Sequence, residues 1–288
     1  MNRYLFFALP KSLMVLMIIA SAALLVSCNE QEVFDSGSIL ILASRTDAPA
    51  MRASGNNTTV DNVWNGGEQV QVSIDDGTAV TFIAAPNGML TPVSPIYLQS
   101  SSHSISARAW YPASWTFPTD QSAGLQPADF IFASTVTGIT ASNYAEKPLI
   151  FQHRTAKVTV NLTAGTDINS ISNATVAFYG YTSGTPDTTD SGNGVITGSG
   201  NGWITPQNMG GDTYTALLIP RDMTGIRFVK ITLDETDYFY TPAVGQAVLQ
   251  QGMAYAYNIT VHKTYLHVEV ANGIEWSGGD EYDVVPSM

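Results

Sequence analysis

Short apolar segments with a two-residue alternation recur along this chain, and no window of helical length shows a sustained 3.6-residue periodicity. Val70, Val72 and Ile74 mark one such segment, and Asp75-Asp76-Gly77 then supplies a turn of the kind that joins neighbouring strands. Glycine, asparagine and proline separate the segments at intervals of roughly ten residues. Many short strands joined by tight turns build sandwiches or barrels, so the sequence predicts an all-β protein.

The predicted strands are too many for a single sandwich. We therefore expect two β-sandwiches in tandem, with a boundary near residues 145–155 after a polar stretch at 141–148. A nearly continuous apolar run opens the strand region, and such a run is typical of a strand buried on both faces. Its members are Ile39, Leu40, Ile41 and Leu42.

The first 27 residues have the pattern of a secretory leader. Arg3 and Lys11 precede an apolar stretch at 13–26, which is shorter than the roughly 18–20 apolar residues that span a bilayer. The run Leu25-Val26-Ser27-Cys28 ends the leader and resembles the lipobox of bacterial lipoproteins, in which the thiol takes a diacylglyceryl group. Cys28 is the only cysteine and cannot form an internal disulfide. The sequence therefore predicts lipidation of Cys28, with palmitate among the acyl chains.

The charge balance excludes one class of partner. Removal of residues 1–27 takes away two cations and no acid, so the formal charge of −12 becomes −14 in the mature chain. An acidic chain with few cations argues against nucleic acid and against a basic membrane-binding patch. It is typical of an exported domain that repels its own copies.

No group of residues has the spacing of a catalytic or metal site. His267 and Glu269 lie two apart on a predicted strand, which is half of a metal site at most, and no third ligand is evident. The chain has no Gly-x-Ser-x-Gly elbow and no free thiol nucleophile. We predict no catalytic residue, no metal and no cofactor. Asp187-Thr188-Thr189 resembles a short acceptor sequence for bacterial O-glycosylation, and the sequence leaves modification of Thr188 open.

Several segments, in a characteristic order, resemble the fimbrillin family of lipoprotein-derived type V pilus subunits, both FimA-like and Mfa-like. Trp64, Gly67, Glu68 and Val70 match that family's Trp-x-x-Gly-(Asp/Glu)-x-(Ile/Val) stretch, although the Gly66-Gly67-Glu68 run replaces a more usual Gly-Asp. The other matching segments are the lipobox leader, Met51-Arg52-Ala53, and residues 149–158, 216–220 and 252–261. The resemblance implies two tandem transthyretin-like β-sandwich domains.

The resemblance also implies a mechanism of assembly. An Arg-specific protease cuts after the first strand, the strand leaves, and the C-terminal strand of another subunit fills the groove. Arg52 and Arg45 are the candidate cut sites, in a loop rich in small residues, and Ile39 to Leu42 would be displaced. The donor strand would lie in 265–288, where core-facing residues alternate with polar ones around a break at Asn272-Gly273. Those core-facing residues are Leu266, Val268, Val270, Ile274 and Trp276.

The expected organisation is therefore a signal peptide at 1–27, a strand and protease-sensitive loop at 28–52, and sandwiches at 53–150 and 151–288. The expected function is a stalk or accessory subunit of a surface pilus, first held by lipid in the outer membrane. Its partners would be other pilin subunits, in a homo- or hetero-polymer, the Arg-specific protease, and host or bacterial surface ligands. A tip adhesin, an anchor subunit and a glycan-binding surface lipoprotein are the alternatives, and an enzyme is the weakest one.

Overall fold

The computed structural model describes residues 40–46 and 64–275. Strands dominate this part of the chain, and its only helical element is one 3-10 turn, Gln126–Ala128. The predicted all-β class is confirmed. The apolar residues form two separate clusters of buried side chains, one in the first half of the chain and one mainly in the second.

The first half contains seven strands whose hydrogen bonding continues around a closed barrel, in the order β1-β4-β3-β2-β5-β6-β7. A sandwich was expected here, and the barrel arises because β1 pairs with both β4 and β7. The strands are β1 (Leu42–Thr46), β2 (Gln69–Ile74), β3 (Val80–Ala84), β4 (Met89–Pro92), β5 (Ile105–Tyr111), β6 (Ile131–Ile139) and β7 (Leu149–His153).

The second half is a sandwich of a four-stranded sheet, β12-β9-β16-β17, and a five-stranded sheet, β13-β14-β8-β19-β20. Two short pairs, β10-β11 and β15-β18, accompany it. The strands are β8 (Ala156–Ala164), β9 (Thr175–Gly180), β10 (Ser183–Pro186), β11 (Ile196–Ser199), β12 (Gly202–Ile204), β13 (Gln207–Gly210), β14 (Thr213–Leu218), β15 (Arg221–Asp222), β16 (Val229–Leu233), β17 (Thr236–Tyr240), β18 (Val248–Leu249), β19 (Met253–Val261) and β20 (Leu266–Glu275).

Alternation explains how these strands bury one face. In β2, Val70 and Val72 are fully buried, and their strand turns at Asp75 and Asp76, which have φ values of 47° and 58°. Short polar side chains tolerate this left-handed conformation better than branched ones. The predicted turn is thus present, with the two aspartates, rather than the glycine, taking the positive φ.

The connection between β5 and β6 leaves the barrel and packs into the second half. Phe117, Leu125 and Phe130 belong to the second hydrophobic cluster although they precede β7 in sequence. Gln121 is 1% exposed, and its side chain bonds both backbone groups of Leu217, with the Nε2–O and N–Oε1 distances each 2.8 Å. Because an amide carries both a donor and an acceptor, this one side chain extends the edge of the sandwich.

A loop of the second half makes the reciprocal contact. Arg108 of β5 donates from Nε to the backbone oxygen of Thr188 at 2.9 Å, and the Oγ of Ser134 lies 2.6 Å from Oδ1 of Asn193. The segment that resembles a glycosylation acceptor therefore lies against the barrel, with the Thr188 side chain half-buried. The two halves touch through segments contributed by each.

Candidate functional site

The first strand closes the barrel, because it is bonded on both edges. On one edge β1 is antiparallel to β4, and on the other it is parallel to β7. The paired residues are Leu42 with Leu90, Ala43 with Met89, Ser44 with Leu149, Arg45 with Ile150, and Thr46 with Phe151. Without β1, strands β4 and β7 would each present an unpaired edge, and the barrel would open along a slot one strand wide.

The inward face of this segment is buried among the residues of the first core. Leu40 and Leu42 are each 1% exposed, and the backbone N–H of Leu40 donates to Ile96 O at 2.8 Å. Ile41 and Ala43, on the other face, are half-buried. The segment thus alternates, whereas its apolar sequence predicted burial on both faces.

Ser44 is the third inward residue and the centre of a small polar network. Its Oγ accepts a hydrogen bond from the indole Nε1–H of Trp64 at 2.9 Å and donates one to Gly88 O at 2.8 Å. The backbone N–H of Ser44 donates to the same oxygen at 2.7 Å. A Cβ at Gly88 would lie 2.4 Å from the backbone oxygen of Ser44, and Gly88 has a φ of 82°. Both facts require glycine where the turn before β4 meets the first strand.

Trp64 reaches this network from the segment that leads into β2. Its side chain packs edge-on against Tyr111 and Phe151, with ring centroids 5.7 and 5.3 Å apart and interplanar angles of 90° and 86°. Edge-to-face packing of this kind stabilises aromatic clusters. The carboxylate of Glu68 accepts the backbone N–H groups of Asn65 and Gly66 at 2.7 and 2.8 Å, which fixes the chain just after the tryptophan. Burial, followed by the charges of Glu68 and Asp129, raises the pKa of Tyr111.

The predicted position of Arg45 in the chain was wrong. It was placed in a loop beyond the first strand, but its backbone lies within β1 and pairs with Ile150. The strand begins and ends later than predicted because barrel pairing extends it to Thr46. Cys28, Ile39 and Arg52 lie outside the described residues.

The predicted donor segment forms β20, the last strand of the five-stranded sheet. It lies at an edge and pairs with β19 alone. Leu266, Val268 and Val270 are half-buried and pack against the second core, as their alternation predicted, while Ile274 is 41% exposed. The predicted break at Asn272-Gly273 is a β-bulge within one continuous strand. Trp276 lies beyond the part of the chain that the structure describes.

The turn before β20 is held by one carboxylate. Asp167 Oδ1 lies 2.8 Å from His262 Nδ1, and its Oδ2 accepts the backbone N–H of Lys263 at 3.1 Å. Although desolvation opposes them, these two hydrogen bonds hold the pKa of the Asp167 carboxyl below its usual range. His262 also stacks on the ring of Tyr265, with centroids 4.3 Å apart. The start of β20 is therefore fixed while the strand itself stays at an edge.

The arrangement of a half-buried aromatic cluster bears on the glycan-binding alternative. Tyr179, Trp203 and Phe239 cluster on the outer face of the four-stranded sheet, with Arg227 over Phe239 and Lys230 over Trp203. Their rings are inclined at 69° and 40° to one another rather than coplanar. Such a cluster does not form the flat platform that this alternative requires.

Within residues 40–46 and 64–275, no group of three or more His, Cys, Asp or Glu side chains could hold a metal ion. His267 Nε2 and Glu269 Oε1 are 3.6 Å apart on the exposed face of β20, with 61% and 60% of their side chains exposed. No helix in the same residues is long and apolar enough to cross a membrane.

Sequence reasoning did not identify Ser44 or Gly88, and it quoted Trp64 without a structural role. The indole and Ser44 are 20 positions apart, and Ser44 and Gly88 are 44 apart. The local signal at Gly88 is the dipeptide Asn87-Gly88, which is typical of a turn and does not indicate a contact with the first strand.

A family profile and solved structures of other proteins match most of the chain. The profile of a family described as fimbrillin-like matches residues 52–275. No curated protein matches the chain. The solved structures that share its fold include two of candidate cell adhesion proteins. That of Bacteroides uniformis has a TM-score of 0.63 and 17% identity, over 82% of this chain and 98% of that one. That of Bacteroides ovatus has a TM-score of 0.61 and 17% identity, over 85% and 100%.

Proposed function

Because the chain belongs to the fimbrillin-like family, we propose that it is a stalk or accessory subunit of a type V pilus that polymerises by strand exchange. The family indicates a pilus-related protein of the cell surface with a structural rather than an enzymatic role. Its partners are other pilin subunits. The observation that carries the proposal is the double pairing of β1, which makes one strand the closing element of the barrel.

The free energy that a strand gains by filling this slot is large enough to drive the proposed assembly. Leu40 and Leu42 are fully buried, and each contributes roughly 1.5–3 kcal/mol through removal of apolar surface from water. Each backbone hydrogen bond adds about 1 kcal/mol net. Loss of the strand exposes the apolar slot and both edges, and a new strand that enters the slot recovers most of this stabilisation.

The position of β20 at the edge of its sheet supports its role as the donor. As an edge strand it has a hydrogen-bonded partner on one side only and three half-buried apolar side chains. In the slot between β4 and β7 the same strand would be bonded on both edges and its inward side chains fully enclosed. The exchange would therefore replace hydrogen bonds to one neighbouring strand, β19, with hydrogen bonds to two, β4 and β7.

Export and processing complete the proposal. The leader at 1–27 is removed, Cys28 is acylated, and the precursor is held in the outer membrane until an Arg-specific protease cuts the chain. Arg52 is the stronger candidate for that cut, because Arg45 is paired with Ile150 inside β1 and proteolysis concentrates in exposed loops rather than in paired strands. Residues 53–150 and 151–288 would then be two domains of the transthyretin-like β-sandwich kind, and loss of β1 would open the barrel of the first one. An anchor or a tip subunit is the same fold with the strand retained or the donor unused.

The experiment compares a charge introduced on the inward face of β20 with the same charge introduced on its outward face. Val268 is half-buried on the inward face, whereas the side chain of His267 is 61% exposed on the outward face. We expect Val268→Asp protein, after trypsin treatment, to stay monomeric, because a charge that enters the slot meets no partner there and costs several kcal/mol. His267→Asp, the matched control, should form the same ladders in unheated gels as the unaltered protein.

Circular dichroism on both variants establishes that they are folded. Truncation before Tyr265 removes the strand altogether and should have the effect of Val268→Asp. Ladders formed by the truncated protein would show that the donor lies elsewhere and would overturn the proposal.

A further inference from the structure

The slot left by the first strand contains a polar feature that an apolar strand cannot satisfy. In the intact protein the Nε1–H of Trp64, a residue only 7% exposed, is bonded to Ser44 Oγ at 2.9 Å, and Gly88 O accepts from the same hydroxyl at 2.8 Å. When β1 leaves, Ser44 leaves with it, and the indole donor and the carbonyl acceptor both lose their partner. A buried donor without an acceptor costs free energy. The strand that fills the slot should therefore carry a side-chain acceptor for the Trp64 Nε1–H.

We propose that Trp64 selects the incoming strand, by requiring a small side chain with an acceptor two residues beyond a pair of alternating apolar residues. This inference rests on the proposed strand exchange and names the sequence that the groove accepts. The pattern follows the inward residues of the first segment, Leu40, Leu42 and Ser44, which occupy alternate positions. Serine, threonine and asparagine carry both a donor and an acceptor and so can serve Trp64 and Gly88 together.

The sequence of the predicted donor, 265–288, contains one residue that fits. Asn272 follows Val268 and Val270 at the required spacing, in the direction that β1 runs. Asn272 also precedes Ile274 and Trp276 at the same spacing. A strand that enters the slot in the opposite direction would therefore also place two apolar residues and Asn272 at the required positions. Neither Ser277 nor Ser287 has two apolar residues at those positions in either direction. The groove of one copy is thus matched by the Asn272 region of a second copy of this chain.

The inference also gives the register of the exchange. With Asn272 opposite Gly88, Val268 and Val270 occupy the places of Leu40 and Leu42 when the strand runs in the direction of β1. A shift of two residues would place Val270 or Ile274 against the indole N–H and leave it unpaired. A shift of one residue would turn the polar face of the strand into the core. A single hydrogen bond therefore discriminates between registers that apolar packing alone would accept.

The test measures strand binding with peptides. The full-length protein is cut with trypsin and exposed to excess labelled peptide of residues 39–46 or 266–276, and binding is followed by fluorescence anisotropy. We expect Ser44→Ala in the first peptide and Asn272→Ala in the second to weaken binding by about tenfold, within the roughly 5- to 100-fold range of an unpaired buried donor. Ile41→Ala and Glu269→Ala, each on the outward face, are the matched controls and should bind as the parent peptides do.

Trp64→Phe protein provides the second arm, since it keeps the ring and removes the N–H. On this protein the difference in affinity between the parent and alanine peptides should be clearly smaller than on the unaltered protein, because the alanine peptides then lose only the hydrogen bond to Gly88 O. If the alanine peptides bind the unaltered protein as tightly as their parents, the selection by Trp64 is wrong while strand exchange stands. If no peptide binds the cut protein, strand exchange itself is wrong.

Discussion

Replacement of Leu42 by alanine should destabilise the precursor and leave the assembled subunit unaffected. Leu42 is 1% exposed in the barrel core, so the truncation creates a cavity as well as a loss of apolar burial. The expected cost is about 3 kcal/mol, within the range of 2–5 kcal/mol for buried leucines. With an m value of about 2 kcal/mol/M in urea, the unfolding midpoint of the barrel should fall by about 1.5 M.

The assay compares uncut protein with filaments formed after proteolysis, following barrel unfolding in urea by hydrogen exchange of β2 and β5. Ile41→Ala, on the half-buried outer face of the same segment, is the matched control and should lower the precursor midpoint much less. After cleavage beyond β1 the assembled subunits of all three proteins have the same mature sequence, and their midpoints should agree. Assembled Leu42→Ala subunits with a lowered midpoint would show that the first strand is retained, and the reasoning from the barrel closure would be refuted.

Three further predictions concern processing, anchoring and pH. Arg52→Ala should abolish the fragment that begins at Ala53 while Arg45→Ala leaves it, as read by N-terminal sequencing; a natural fragment that begins at Thr46 would contradict this. Cys28→Ser should move the precursor from the detergent to the aqueous phase on phase separation, and unchanged partitioning would exclude lipidation. Burial raises the pKa of Tyr240 from 10.0 to about 12, and it raises the pKa of Tyr257 too. The contribution of Tyr240 to stability is therefore complete below pH 10 and is lost as pH rises through 12. Tyr257, whose pKa is raised in the same direction, adds to the loss above pH 10, so thermal unfolding should shift downward there, and less in Tyr257→Phe. An equal shift in the two proteins would contradict it.

The sequence predicted those parts of the fold that depend on neighbours along the chain. The bounds of β2, Gln69–Ile74, agree with its alternation, and the turn at Asp75 and Asp76 is where short polar residues indicated it. The closed barrel could not be predicted in this way, because it depends on Ser44 meeting Leu149 across more than a hundred residues. The same applies to Phe117, which lies in a proline-containing loop and packs into a core assembled mainly from later strands.

The residues of the candidate site also differ in whether their role depends on neighbours along the chain or on distant residues. Val268 was identified because alternation indicates which side chains of a strand face inward. Leu42 was expected to be buried only as part of an apolar run, and the sequence did not show which of the four residues of that run face the core. Arg45 was misplaced, since no local signal shows that the first strand continues to Thr46. The contact of Trp64 with Ser44 was missed for a related reason, because a hydrogen bond between distant residues leaves no periodic trace in the sequence.

The connection between β5 and β6 determines how this subunit would respond to tension. Phe117, Leu125 and Phe130 are seated in the second core, and Gln121 is bonded through both ends of its amide to Leu217. A force that separates the halves would therefore have to extract these side chains from the second core and break both hydrogen bonds of Gln121, in addition to extending the backbone between β7 and β8. Bending and torsion within the subunit are resisted in the same way. A filament of such subunits would be stiff over the length of each subunit, and its flexibility would be confined to the junctions between them.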